Sequence, residues 1–217
     1  MTKLRIRHWL ALKGQGPKAV LERKNGFTVT YHLHLEPEET TFPANGFRSN
    51  QLNNIALLSE WAGRGSQVLV KEHPVILAGT MSLPYAVRNR TRTFYEAIRR
   101  LPNVVLLKPK GVANQRVTDS DAIATVGGNV GWEALRAGLP VIHFGVASYG
   151  NAVGAYRWRS NLSLNEVVIR DGKEIAEAAE ESIRLLERYS YDETNPNRRV
   201  GRVLGLLAAL DAIDPTA

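Results

Sequence analysis

The chain has 217 residues, 44% hydrophobic and 23% charged, which suits one large or two small soluble domains with a sizeable core. It holds no cysteine, which excludes disulfides, thiolate metal sites and cysteine nucleophiles, and no apolar run long enough to cross a bilayer. The formal net charge is +7, and residues 1–25 supply +6 of it through Lys3, Arg5, Arg7, Lys13, Lys18, Arg23 and Lys24 against Glu22. A basic leader, read as a linker or surface helix broken by Gly14, Gly16 and Pro17, therefore precedes a near-neutral domain at 26–217. The leader is a candidate contact for an anionic membrane surface; no aromatic interleaving or nucleic-acid motif accompanies it, so no nucleic-acid partner is expected. Its apolar piece, Trp9 to Leu12, is too short for a signal peptide. A cytoplasmic location is expected, with the leader a candidate for peripheral contact with the inner face of the membrane.

From Phe27 the pattern changes. FTVTYHLHL is rich in β-branched and aromatic residues and reads as a strand. EPEETTFPANG follows as a loop, and Arg48 to Trp61 carries Leu52, Ile55, Leu58 and Trp61 at helical spacing. Gln67 to Lys71 reads as a second strand running into EHP, and His73 to Arg90 as a long polar connection. Thr91 to Leu101 reads as a helix with Phe94, Tyr95, Ile98 and Leu101 on one side, stopped by Pro102 and Asn103. Val104 to Leu107 is a third strand, and residues 108–119 are irregular. Ala122 to Val126 is a fourth strand, broken by Gly127 and Gly128; Asn129 is placed to cap the short helix that follows. Gly138 and Pro140 end that helix, and Val141 to Phe144 is a fifth strand. Gly145 to Arg159 reads as a loop and Leu162 to Arg170 as a short strand. Two amphipathic helices, Gly172 to Tyr189 and Asn195 to Ile213, close the chain. Strands alternating with helices predict an α/β fold with a doubly wound parallel sheet, whose ligand sits outside the carboxyl ends of the strands.

Polar residues gather at those ends. In KEHP, His73 can hydrogen-bond a phosphate or serve as an acid toward a leaving phosphate oxygen, and Lys71 adds charge. Gly127, Gly128 and Asn129 form a glycine turn ahead of a helix, where backbone N–H groups suit an anion. Glu133, one turn into that helix, is placed for a ribose hydroxyl pair, or simply favoured by the helix N-terminus. Glu36, Glu38 and Glu39 stand at the mouth of the first strand; a carboxylate there suits a base or a sugar hydroxyl, and a solvated turn is the blander reading. His32 and His34 share a strand face with no third ligand in view, so no metal is expected.

In this order and spacing the motifs resemble the capsular polysaccharide biosynthesis family, which includes the Kdo transferases of capsule assembly. They are LEPEETT at Leu35–Thr41, Asn50–Gln51, VKEHP at Val70–Pro74, Phe94–Tyr95, Pro102–Val104, ATVGGNVGWEALRAGLPVIHFG at Ala124–Gly145, and Tyr149. The resemblance implies the C-terminal, nucleotide-sugar-binding half of a two-domain GT-B glycosyltransferase with a Rossmann-like fold. It implies a CMP-sugar donor, CMP-Kdo above all, a saccharide or glycolipid acceptor, and no cofactor beyond the donor. By matching position, His73 would bind the donor phosphate, Gly128 and Asn129 would bring helix N–H groups near it, and Glu133 would hold the ribose. Glu36 or Glu38 would face the cleft between the domains. The leader then resembles an interdomain connector, with a separate N-terminal GT-B domain as a partner. Gly127 and Asn129 depart from the family's usual Thr or Ser, and Glu36 and Asn50 from its usual Gln and Asp. A non-catalytic nucleotide-binding module that keeps the fold is the alternative, and a Rossmann-like epimerase acting on UDP-sugars a third reading.

Overall fold

In the computed structural model, residues 26–36, 50–74, 76, 90–108, 120–168 and 171–189 are described, together with Lys13. The rest of the basic leader, residues 109–119 and the expected last helix at 195–213 lie outside the described residues. Six strands form one parallel sheet: β1 (Thr28–His32), β2 (Gln67–Lys71), β3 (Val104–Leu106), β4 (Ala122–Thr125), β5 (Val141–His143) and β6 (Ala155–Arg157). The spatial order is β3-β2-β1-β4-β5-β6. The chain winds outward in one direction, returns to β1, and winds outward in the other, which is the doubly wound Rossmann order with its reversal between β1 and β4.

The central strands are buried on both sides, as a sheet covered on both faces requires. Their period-two alternation sorts residues to opposite layers. Val68, Val70, Ala122, Ala124 and Ile142 join one core cluster with Ile55, Leu58, Tyr95 and Ile98 of the helices α1 (Gln51–Ala62) and α2 (Arg92–Arg100). Ile123 and Val141 join the other with Ala134 and Leu135 of α3 (Val130–Arg136) and Ile175 and Ala179 of α5 (Gly172–Tyr189). No helix among the described residues is long and apolar enough to cross a membrane.

Helix starts follow local hydrogen-bond chemistry. Asn50 caps α1 by accepting from the Asn53 N–H at 3.1 Å, and Thr91 caps α2 by accepting from the Phe94 N–H at 3.1 Å. Thr91→Ala is expected to cost about 1 kcal/mol in urea denaturation, the usual loss for a cap. Asn129 behaves otherwise. It stands at the start of α3 with helical backbone angles, φ −57° and ψ −21°, and makes no side-chain cap bond, because capping geometry needs an extended backbone there.

Two sequence readings are corrected. Within the expected loop at 145–159, Ala155–Arg157 pairs with β5 as an edge strand, its length of three residues being too short to show alternation. The expected strand at 162–170 contains instead the helix α4 (Leu164–Val168). Its start is a reciprocal cap: the Glu166 N–H donates to Ser163 Oγ at 3.2 Å, and the Ser163 N–H donates to Glu166 Oε1 at 3.0 Å. Ser-x-x-Glu is the sequence signature of that arrangement and outranks the local β propensity.

Candidate functional site

A cleft of about 620 Å³ opens at the carboxyl ends of β1, β2 and β4, spanning the point where the strand order reverses. Its size suits a small-molecule ligand (roughly 300–1,000 Å³), and the switch point is where doubly wound sheets bind one. The register explains who meets there. His32 and Lys71 are direct partners at the ends of β1 and β2, so the residues just beyond them emerge side by side. His32, His34, Lys71 and His73 line the cleft from this side, and Gly127, Gly128, Asn129 and Glu133 from the other. The fold thus brings together six expected site residues: Lys71, His73, Gly127, Gly128, Asn129 and Glu133.

Glu36 is placed differently. It is not among the cleft-lining residues: its carboxylate accepts from Gln51 Nε2 at 2.6 Å, and its other oxygen lies 3.9 Å from Arg90 Nη1. Its side chain keeps 18% of its surface exposed. Glu38 lies outside the described residues.

The glycine turn owes its composition to close packing. None of Gly127, Gly128 and Gly131 has a positive φ. A Cβ on Gly127 would stand 2.3 Å from the carbonyl oxygen of Val146. A Cβ on Gly128 would stand 2.3 Å from Cε1 of His34, and one on Gly131 2.1 Å from the Tyr149 ring. The turn is pressed against the chain after β5 on one side and against an imidazole of the cleft on the other. Helix α3 then ends at Gly138, whose φ of +77° a side chain would resist.

His34 forms the floor beneath Gly128. It is buried, and its Nε2 lies 2.5 Å from Thr125 Oγ1 at the end of β4, one atom donating to the other. Gln51 holds its backbone at both ends: the His34 N–H donates to Gln51 Oε1 at 2.6 Å, and Gln51 Nε2 donates to the His34 carbonyl at 3.0 Å. His32 is crowded by like charge. Burial first, then Lys71, His34 and His73, push it down to about 3, so it stays neutral at physiological pH.

Behind the cleft sits a buried ion pair that sequence reasoning missed. Arg90 is fully buried, and its Nε donates to Glu72 Oε2 at 3.1 Å and Oε1 at 3.3 Å. Tyr95 Oη donates to Glu72 Oε2 at 2.5 Å, and the His73 N–H donates to Glu72 Oε1 at 2.7 Å. Arg90 Nη2 donates to the His34 carbonyl, and the guanidinium lies 5.1 Å from the Phe94 ring centroid. Burial works against the Arg90 charge, but Glu72, Tyr95 and Glu36 outweigh it and raise its pKa. The motifs KEHP and Phe94–Tyr95 are thus one structural unit.

The chemistry of the lining is polar and hydrogen-bonding, with Lys71 and three imidazoles on one side. Glu72 contributes no free negative charge because Arg90 matches it, which leaves Glu133 as the carboxylate facing Lys71 and the imidazoles among the described residues. Such a cleft suits an anion carrying hydroxyl groups.

No family model and no curated protein matches the sequence. Solved structures similar to the chain include the beta Kdo 2,4 transferase KpsC of Thermosulfurimonas dismutans, at 18% identity and a TM-score of 0.44, with 72% of this chain and 44% of that chain covered. The beta Kdo 2,7 transferase KpsC of the same organism is similar at 13% identity and a TM-score of 0.48, covering 81% and 57%. The UDP-GlcNAc 2-epimerase of Methanocaldococcus jannaschii is similar at 13% identity and a TM-score of 0.44, covering 82% and 50%. The chain spans about half the length of these solved structures.

Proposed function

We propose that this domain binds a CMP-activated sugar, CMP-Kdo, in the strand-end cleft and acts as a glycosyltransferase of capsular or other surface polysaccharide synthesis. The observation that carries the reading is the convergence of Lys71, His73, the Gly127–Asn129 turn and Glu133 on one cleft at the switch point. By resemblance to the Kdo-transferase motifs, these are the residues that would meet the donor. His73 and Lys71 hold the donor phosphate, and the backbone N–H groups of the turn add to them. Glu133 holds the ribose hydroxyls.

In the reaction, an acceptor hydroxyl oxygen bonds to the anomeric carbon of the sugar. The bond from that carbon to the CMP phosphate oxygen breaks, and its electron pair leaves with CMP. His73 and Lys71 neutralise the departing phosphate. The acceptor proton passes to a carboxylate, which the resemblance offers as Glu38, because the Glu36 carboxylate is held by Gln51 and Arg90 outside the cleft lining. A partner N-terminal domain would present the acceptor, at the inner face of the membrane.

Calorimetry with CMP, UDP and inorganic phosphate tests the donor assignment. CMP is expected to bind most tightly, and His73→Ala to weaken it by about 10-fold or more, the loss of one hydrogen bond to a charged group. Equal affinity of His73→Ala and the unaltered chain would remove His73 from the site, and a preference for UDP would favour the epimerase-like reading. A second reading is a nucleotide-binding module without turnover, favoured by the crowding at Gly127, which leaves no room for the family's hydroxyl. Transfer of Kdo from CMP-Kdo to a saccharide, with or without an added N-terminal domain, would exclude it.

A further inference from the structure

Lys71 ends β2, and Glu72 and His73 follow it at the carboxyl edge of the sheet. All three line the cleft, but Glu72 is buried and met by three donors from three places in the chain. They are Arg90 Nε, Tyr95 Oη and the N–H of His73 itself. We propose that Glu72 is a positioning residue, whose carboxylate fixes the main chain of His73 and so aims His73 and Lys71 at the phosphate of a bound nucleotide. The inference rests on the nucleotide-binding reading of the cleft.

Two constraints act on His73 at once. Pro74 restricts its backbone to extended conformations. The Glu72 carboxylate, anchored by Arg90 and Tyr95, takes its N–H in a charge-assisted bond of 2.7 Å. Glu72 has a second effect, on Arg90. An arginine so near a cleft is a natural anion ligand, yet Arg90 is wholly out of solvent and paired with Glu72. Arg90 instead spends Nη2 on the His34 carbonyl, which Gln51 also holds. His34 and His73, two of the three imidazoles at the cleft, therefore hang from one buried network.

A network that merely held the fold would treat every ligand contact alike. A positioning network must act through His73, and a double-mutant cycle separates the two. The full chain is titrated with CMP by calorimetry as Glu72→Gln and as Tyr95→Phe, each with and without His73→Ala. Gln keeps the shape and one acceptor but loses the charge; Tyr95→Phe removes a single donor and carries the test if Glu72→Gln does not fold. Each is expected to weaken CMP by about 5-fold or more in the unaltered background and by less than about 2-fold beside His73→Ala. The backbone amide proton resonance of His73 is expected to move upfield in Glu72→Gln, without any ligand. Equal weakening in both backgrounds, no weakening, or an unmoved amide overturns the inference and leaves the nucleotide reading intact. Absence of CMP binding by the unaltered chain overturns that reading and this inference with it.

Discussion

Arg90→Met is expected to lower stability by about 3–5 kcal/mol, the cost of removing one partner of a buried ion pair. Glu72 has no solvent to replace the lost charge: both side chains are fully buried. Tyr95 and the His73 N–H would still donate to it, but neither carries a compensating charge. The loss is a large share of the roughly 5–15 kcal/mol that holds a domain together. The double variant Arg90→Met with Glu72→Leu is expected to recover more than half of it, because well-packed apolar residues in place of a whole buried pair are often neutral or better. Urea denaturation of both variants measures this. A single variant costing under about 1 kcal/mol, or a double variant no more stable than the single, would show that the pair does not bear on stability.

The contrast between this pair and the cleft marks what the sequence could and could not reveal. Five of the six strands were legible because they are short runs bounded by punctuation; Ala155–Arg157 was too short to show. Gln67–Lys71 is bounded by a glycine-rich turn and by EHP, and the strand has those limits in the structure. The helix Gly172–Tyr189 was legible from its apolar period. Once alternation implied a doubly wound sheet, residues at strand ends had to converge, and Lys71, His73, Gly127, Gly128, Asn129 and Glu133 do. Arg90 was hidden for the opposite reason. One arginine of three in the run Arg88–Arg92, at the end of a long polar connection, looks solvated, and nothing local says that Arg90 is buried against Glu72, eighteen residues away. A carboxylate directly after a buried strand did offer a hint, since a buried charge needs a partner. Gln51 was hidden likewise. It opens α1 in sequence, but its amide spans the backbone of His34, seventeen residues earlier. His34 itself read as one half of an improbable metal pair, whereas the structure sets it under Gly128 and against Thr125.

Gly127→Thr gives the sharpest test of the turn. By resemblance alone, threonine at 127 restores a hydroxyl for the donor phosphate and should tighten binding. The packing predicts the reverse. The new Cβ would sit 2.3 Å from a backbone oxygen, that of Val146, and 3.3 Å from its carbon. A flexible side chain could swing aside, but this carbonyl belongs to the segment that leaves β5. That segment is tied to the sheet nearby: the Gly145 N–H donates to the Val126 carbonyl at 2.7 Å. Relief must therefore come from the turn, which would lift away from Val146 and carry Gly128 and Asn129 with it. Gly128 has no slack, since His34 lies directly beneath it. The expected result is a loss of about 1–3 kcal/mol in stability, as for other overpacked sites, and weaker CMP binding. Gly127→Ala, which adds the Cβ without the hydroxyl, should lose a similar amount of stability, because the clash is with the Cβ. If threonine instead binds CMP more tightly than alanine or the unaltered chain, the hydroxyl outweighs the packing. The turn would then be a phosphate cradle whose missing group can be returned, rather than one shaped around a glycine.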